Sequence, residues 1–333
     1  MPGTGAGSVD GEVSFKALRE GQRPGLAEYN GVIYIGWASH GDIDPYHGWV
    51  MGYQSESLEQ VAIFNSDPNG TRAGIWESGA GLAVDSSGNI FLQTGNGTFD
   101  VNVGGIDYGD SLIKLSTSNG LAVTDYFTPL NQNYLRINDL DLGSGGVLLL
   151  PDQTGPYPHE AVSVYKLPVI WVTNRDNLGG YNSASNNVIE QLRGNPGGYW
   201  SSPAYFNNAI YLAGVSGYLD RYLLTANGQL AHTPQSQSST NYEYPGATPS
   251  ISANGSANGI VWAIQGGGGD VGGPPAVLHA YNAGNVSQEL YNSNHAGSRD
   301  LPGPATKFSV PTIALGKVYI GTQTDLDIYG LLP

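Results

Sequence analysis

Six times along the chain a short apolar strand, opening on small residues or proline, is followed after a turn by a second strand that ends in small or polar residues. The clearest copies are SSPAYFNNAIYLAG (201–214), ATPSISANGSANGIVWAI (247–264) and SVPTIALGKVYIGT (309–322). Looser copies are QRPGLAEYNGVIYIGW (22–37) and GAGLAVDSSGNIFLQT (79–94), and the most degenerate is SGGVLLLPDQ (144–153) with EAVSVYKL (160–167). Spacings of roughly 45–65 residues fit one four-stranded blade per copy plus insertions, the period of a β-propeller. A single blade cannot bury both of its faces, so the copies must stack on one another.

Third strands follow in most copies, as in GWVMGYQ (48–54), SLIKLS (111–116), VIWVTNRD (169–176), LDRYLL (219–224), VLHAYN (277–282) and LDIYGL (326–331). Outer strands read QVAIFN (60–65), LAVTDYF (121–127), VIEQLRG (188–194) and QELYNS (288–293). The turn chemistry sits between first and second strands, at Asn30-Gly31, Ser87-Gly88-Asn89, Asn207-Asn208 and Leu315-Gly316. The expected fold is an all-β propeller forming one domain over 1–333. Its blades fall at 22–65, 79–127, 144–194, 201–234, 247–293 and 309–333. The last blade stops after its third strand, and the strand-like segment GEVSFKAL (11–18) is expected to complete it, hiding two sheet edges.

Composition narrows function by exclusion. Gly 49 and Pro 20 in 333 residues, with 12% charged, describe short strands and tight turns, and no dozen residues carry helical periodicity. With 13 basic against 28 acidic residues the net charge is −15, which repels phosphate backbones and argues against a nucleic-acid partner. Zero cysteine excludes disulfides, thiolate metal sites and cysteine nucleophiles. No apolar run approaches the ~20 residues of a membrane-spanning helix, so no membrane partner is expected. MPGTGAGSVDGEVSF has neither the basic head nor the apolar stretch of a signal peptide.

The third and fourth strands carry degenerate copies of a phrase of the form h-A-h-D-A-x-T-G-x-x-L-W: AYNAGNVSQELYNS (280–293), GYQSESLEQVAIFN (52–65) and LLTANGQLAHTP (223–234). With the P-x-h-x-x-G-x-h-Y-h-G start of each copy, the chain resembles the PQQ-repeat-like β-propeller superfamily. It is most similar there to a group of bacterial exported propellers sharing PYHGWV (45–50), TGNGTFD (94–100), DYGDS (107–111), DLDLGSGG (139–146), YPGATPSISANG (244–255) and AGSRD (296–300). The resemblance implies a secreted or periplasmic setting. Because that group carries additional blades before the equivalent of residue 1, it also implies either a six-bladed ring or a piece of a larger one. Quinoprotein dehydrogenases of the superfamily stack their cofactor on a Trp, beside a calcium ion held by acidic and amide side chains. Many add a vicinal Cys pair and a Trp motif recurring in each blade. Here Cys is absent and Trp37, Trp49, Trp76, Trp171, Trp200 and Trp262 recur at no fixed blade position, so PQQ is not expected.

Several polar clusters could carry chemistry. HGDIDPYH (40–47) sets His40 and His47 beside Asp42 and Asp44, a set suited to a divalent cation such as calcium or to acid–base work. The competing reading is a turn-rich loop whose carboxylates cap turns. In NDLDLGSGG (138–146), Asp141 leads into a first strand with Asp152 beyond its far end; Asp100, Asp107 and Asp110 form another acidic group. Arg299 in AGSRD and Lys307 in TKFSVP lead into the last blade, where they could hold a carboxylate or form ion pairs between blades. Tyr199 and Trp200 in GGYWSSP, with NYEYPG (241–246) and GPYPHE (155–160), offer aromatic faces to sugar rings. The glycine-rich QGGGGDVGG (265–273) has no lysine and reads as a loop between strands, not a phosphate cradle.

These readings lead to a propeller that binds a ligand, most plausibly a carbohydrate or other polymer, in its axial funnel. Any catalysis would be cation-assisted hydrolysis or elimination, with His40, His47, Asp141 and Lys307 as catalytic groups. Arg299, Tyr199, Trp200 and Asp152 would bind the ligand, and Asp42 and Asp44 a metal. The alternatives are a PQQ- or metal-dependent dehydrogenase and a non-catalytic interaction scaffold.

Overall fold

The computed structural model describes residues 1–266 and 271–331. Six sheets follow one another along the chain, the arrangement of a β-propeller. The first joins Ala27–Tyr29, Val32–Trp37, Trp49–Gln54 and Gln60–Asn65 in sequence order, all antiparallel. The second runs from Ala83–Val84 through Ile90–Gln93 and Leu112–Ser116 to Ala122–Thr128, and the third from Val147–Leu149 through Glu160–Val164 and Val169–Asn174 to Glu190–Arg193. Ala204–Phe206, Ala209–Ala213, Gly217–Leu223 and Ser236–Tyr242 make the fourth; Ser250–Asn254, Ala257–Gln265, Val277–Asn282 and Glu289–Asn292 make the fifth. The sixth has Thr312–Ala314, Lys317–Gly321 and Leu326–Tyr329. The longest described α-helix is the six-residue Gln132–Ile137.

The two-residue hairpins form where the turn residues predicted them. Asn30 and Gly31, Asn207 and Asn208, and Leu315 and Gly316 all have positive φ, as a tight hairpin that follows the strand twist requires. Antiparallel succession puts successive connections at alternate ends of each sheet. One end holds these hairpins; the other gathers the second-to-third-strand loops and the links into the next first strand.

Backbone contacts divide the chain into two compact units. Unit 1 comprises 1–151, 159–166 and 171–191; unit 2 comprises 152–158, 167–170 and 192–333. In unit 1, Val50 and Ile75 pack with Leu82, Ile90, Leu92 and Ile113, closing the first sheet on the second. In unit 2, Tyr211 and Leu219 meet Val261 and Tyr281 between the fourth and fifth sheets, and Ile264 and Leu278 meet Val318 and Ile320 between the fifth and sixth. The face-to-face burial that the repeats demand is therefore present within each unit.

Three details depart from expectation. Among the described residues the sixth sheet has three strands, and 11–18 does not complete it. That segment folds back on the first sheet instead: Val13 is buried against Trp49 and Met51, and Phe15 meets Trp37 edge-on at 5.0 Å. Two aromatic rings and a methionine offer it more burial than one more edge pairing. The fourth sheet's outer strand is the polar SQSSTNY at 236–242, beyond the 201–234 expected for that blade, since an outer edge tolerates polar residues without an apolar signal. Third, Gly180–Tyr181 leaves the third repeat and adds a parallel fifth strand beside Phe127 and Thr128. The glycine-rich 265–273 lies partly outside the described residues.

Candidate functional site

Three of the segments read from the sequence, TGNGTFD (94–100), DYGDS (107–111) and DLDLGSGG (139–146), meet in the loops of unit 1, joined by buried carboxylates, and Glu77 and Asp107 brace the loops around them. Asp141 accepts the Asn96 N–H at 2.6 Å, and Asp110 accepts that of Leu142 at 3.1 Å. Glu77 accepts from Gln93 at 2.8 Å, and Asp107 from Asn69 at 3.0 Å. Loops without ladder partners still have to satisfy their buried N–H groups, and short acidic side chains reach across to do so. Burial pushes these acids upward: Glu77 to about 8, Asp110 well above its ordinary range, and Asp107 in the same direction against its backbone bonds.

On this frame sits a cluster with a single lysine. Lys166, at the end of the third sheet's second strand, reaches Asp141 at 2.5 Å and Asp139 at 3.1 Å. Its side chain is 12% exposed, that of Asp141 8% and that of Asp139 75%, so the group opens to solvent on the Asp139 side. Burial works against the ammonium, but Asp141 and then Asp139 outweigh it and raise the Lys166 pKa, fixing it as a donor. Asp42 lies in the field of the same groups and accepts from Tyr46 Oη at 3.3 Å. Burial first, and then the charge of Asp141, push its carboxyl up.

Trp76 forms the floor. The Arg23 guanidinium lies 4.6 Å over its ring and Tyr46 meets it edge-on at 6.1 Å, while Trp76 Nε1 is buried with no hydrogen-bond partner among the described residues. Gly95 lets these groups converge: a Cβ there would lie 2.7 Å from Trp76 Nε1 and 2.8 Å from Asp141 Oδ1. A stacked quinone beside calcium would ask for an open indole face and a set of cation ligands. Arg23 covers this indole face, and no three His, Asp or Glu side chains among the described residues are arranged to hold a metal ion.

Of the residues predicted from sequence, Asp141 and Asp42 come together within unit 1, and the others serve separate partners within their own units. Of the first loop, only Asp42 joins the cluster. His40 is exposed, and Asp44 is forked by Arg72 at 3.1 and 2.7 Å, so Asp42 and Asp44 serve different partners. His47 is buried, its Nδ1 3.0 Å from Asp67 Oδ1 and its Nε2 2.9 Å from the Ala6 carbonyl, where it fastens the N-terminal segment. In unit 2, Asp152 is exposed in the connection before Glu160–Val164, and Arg299 forks its neighbour Asp300 at 2.6 and 2.9 Å. Tyr199 is fully buried and its hydroxyl accepts the Asn195 N–H at 2.7 Å, so it cannot face a ligand. Trp200 meets Tyr244 edge-on at 5.5 Å, and Lys307 lies 5.4 Å over the same Tyr244 ring, an aromatic ledge joining two of the predicted loops. Lys166 was missed; its signal was a lysine closing an apolar strand in a chain with 13 basic residues.

No protein-family model matches the chain, and no curated protein matches it by sequence. Among solved structures it is similar to a quinohemoprotein alcohol dehydrogenase from Comamonas testosteroni, at 13% identity and a TM-score of 0.53, over 89% of this chain and 55% of that one. The quinohemoprotein alcohol dehydrogenase ADHIIG from Pseudomonas putida HK5 gives the same identity and score over 94% of this chain and 57% of its own. The β-propeller domain of Cps50 (Swd1) from Myceliophteria thermophila is similar at 7% identity and a TM-score of 0.52, covering 90% of this chain and 79% of that one. The chain thus spans a little over half the length of the two dehydrogenases. At these identities the likeness is one of β-propeller fold.

Proposed function

We propose that the protein is a ligand-binding propeller and that the loop end of unit 1 takes a neutral, hydroxyl-rich ligand of the carbohydrate class. The observation behind this reading is the Lys166 ammonium shared between Asp141 and Asp139, with Asp42 in the same field. The Lys166 ammonium spends its N–H groups on Asp141, the Asp139 carboxylate and the Asp139 carbonyl, which holds the exposed Asp139 oxygens in place as acceptors for ligand hydroxyls. The buried acids beneath hold these groups in place before a ligand arrives, which lowers the ordering cost of binding. The trio's charge, two carboxylates to one ammonium, favours neutral over anionic ligands.

Calorimetric titration with neutral oligosaccharides tests the reading. At least one should bind, and Asp139→Ala or Asp42→Asn should weaken it about tenfold, the worth of one or two charge-assisted hydrogen bonds. Retention of none, or binding indifferent to both substitutions, would reject it. A second reading, a quinone-dependent dehydrogenase, draws on the fold likeness alone. Dye-linked alcohol oxidation after reconstitution with the quinone would replace the first reading with the second.

A further inference from the structure

The fourth sheet's third strand, Gly217–Leu223, alternates its faces as strands do. Leu219 and Leu223 belong to the core between the fourth and fifth sheets. Arg221 stands between them at the same parity, so a guanidinium occupies a core-facing position. It is paired across the strands with Tyr211, whose hydroxyl donates to the Ala283 carbonyl of the fifth repeat at 2.6 Å.

Arg221 Nε is buried and has no hydrogen-bond partner, and no carboxylate pairs with Arg221 among the described residues. Acids outnumber bases 28 to 13 in this chain, so a core-facing arginine lacking one stands out. Arg221 is partly exposed and its guanidinium already meets the Tyr211 hydroxyl, but its buried Nε–H is left unused, and an anion would complete it. Space for one is present. Arg221 lines a cavity of about 490 Å³ with the Phe206 ring and Leu290 as apolar walls and Asn258 and Asn282 at its polar side. Asn282 already holds Gly284 N–H and Gln288, which fixes its orientation.

We propose that this seam is a binding site for a small hydroxylated carboxylate of sugar-acid size. Arg221 would take the carboxylate in its planar fork, the asparagine amides the hydroxyls, and Phe206 the apolar face of the ring. The site lies within unit 2 and shares no residue with the cluster around Lys166, so it stands independently of the function proposed above.

The test is NMR observation of the Arg221 Nε–H resonance while D-glucuronate, D-glucose or inorganic sulfate is added to the intact protein. D-glucuronate should shift the resonance and raise Tm, D-glucose should do neither, and Arg221→Gln should weaken D-glucuronate binding about tenfold or more. Asp139→Ala should leave D-glucuronate binding unchanged. No shift with any probe, or an equal response to D-glucose, overturns the proposal. Sulfate acting as strongly as D-glucuronate overturns the sugar-acid assignment and leaves a simple anion site. Should Arg221→Gln fail to fold, the resonance of the unaltered protein decides.

Discussion

Tyr199 is the residue whose role the structure changes most. Its ring is fully buried and its hydroxyl is spent on the Asn195 N–H, so it anchors a loop beside the partly buried Trp200. Tyr199→Phe should cost about 1 kcal/mol in denaturant unfolding, the net worth of one buried hydrogen bond, and leave ligand titrations unchanged. A change in affinity at constant stability would return Tyr199 to a binding surface. A sequence shows that a tyrosine stands beside glycine and tryptophan; which of the aromatic rings faces inward is settled only by the neighbours that pack on it. The same holds for His47, an apparent acid–base candidate whose two nitrogens face Asp67 and the Ala6 carbonyl.

At the scale of elements, the parallel strand Gly180–Tyr181 depends on a backbone only glycine adopts cheaply. Gly179 has φ +84°, and a Cβ there would fall 1.4 Å from Asn187 Nδ2. Gly179→Ala should destabilise by about 1–2 kcal/mol through the left-handed backbone, with a further steric part. The double variant Gly179→Ala with Asn187→Ala should recover the steric part alone; equal losses in single and double variants would show that no clash exists. Most strand positions were readable because period-two apolarity and tight turns are local properties. The return of 11–18 to the first sheet was not. Its choice between an open sheet edge and the Trp37–Trp49 surface compares partners from segments far apart in sequence, and no local pattern encodes that comparison.

For the whole molecule, the buried acids set an unusual pH response. Burial pushes Glu77 to about 8, Asp67 and Glu160 to about 7 and Asp220 to about 6. In the unfolded chain such groups ionise near ~4. His47, despite its burial, is also raised, by Asp67 and by the backbone acceptors of Ala6 and Asp67. Each of these shifts leaves the folded state holding more protons than the unfolded, so stability is full near the unfolded carboxylate values and is lost as pH climbs toward 8. Thermal unfolding should give a Tm at pH 5 roughly 5 °C or more above that at pH 8.5. Glu77→Gln should narrow the gap by stabilising the protein at the higher pH only. A Tm that rises from pH 5 to 8.5 would contradict the burial that raises these acids and show that their backbone hydrogen bonds, which favour the ionised form, prevail.

By itself the sequence determined the number of sheets, nearly all their strands and the chemistry of their turns, since each follows from residues within hydrogen-bonding reach of one another along the chain. The acidic motifs were visible too, but only as a list. Tertiary structure decided that Asp141 pairs with Lys166, that Asp110, Asp107 and Glu77 serve backbone N–H groups, and that Arg221 stands at a seam with its Nε unpartnered among the described residues. Partnership between charges depends on distance and desolvation, and both are fixed by which loops and sheets come to lie together.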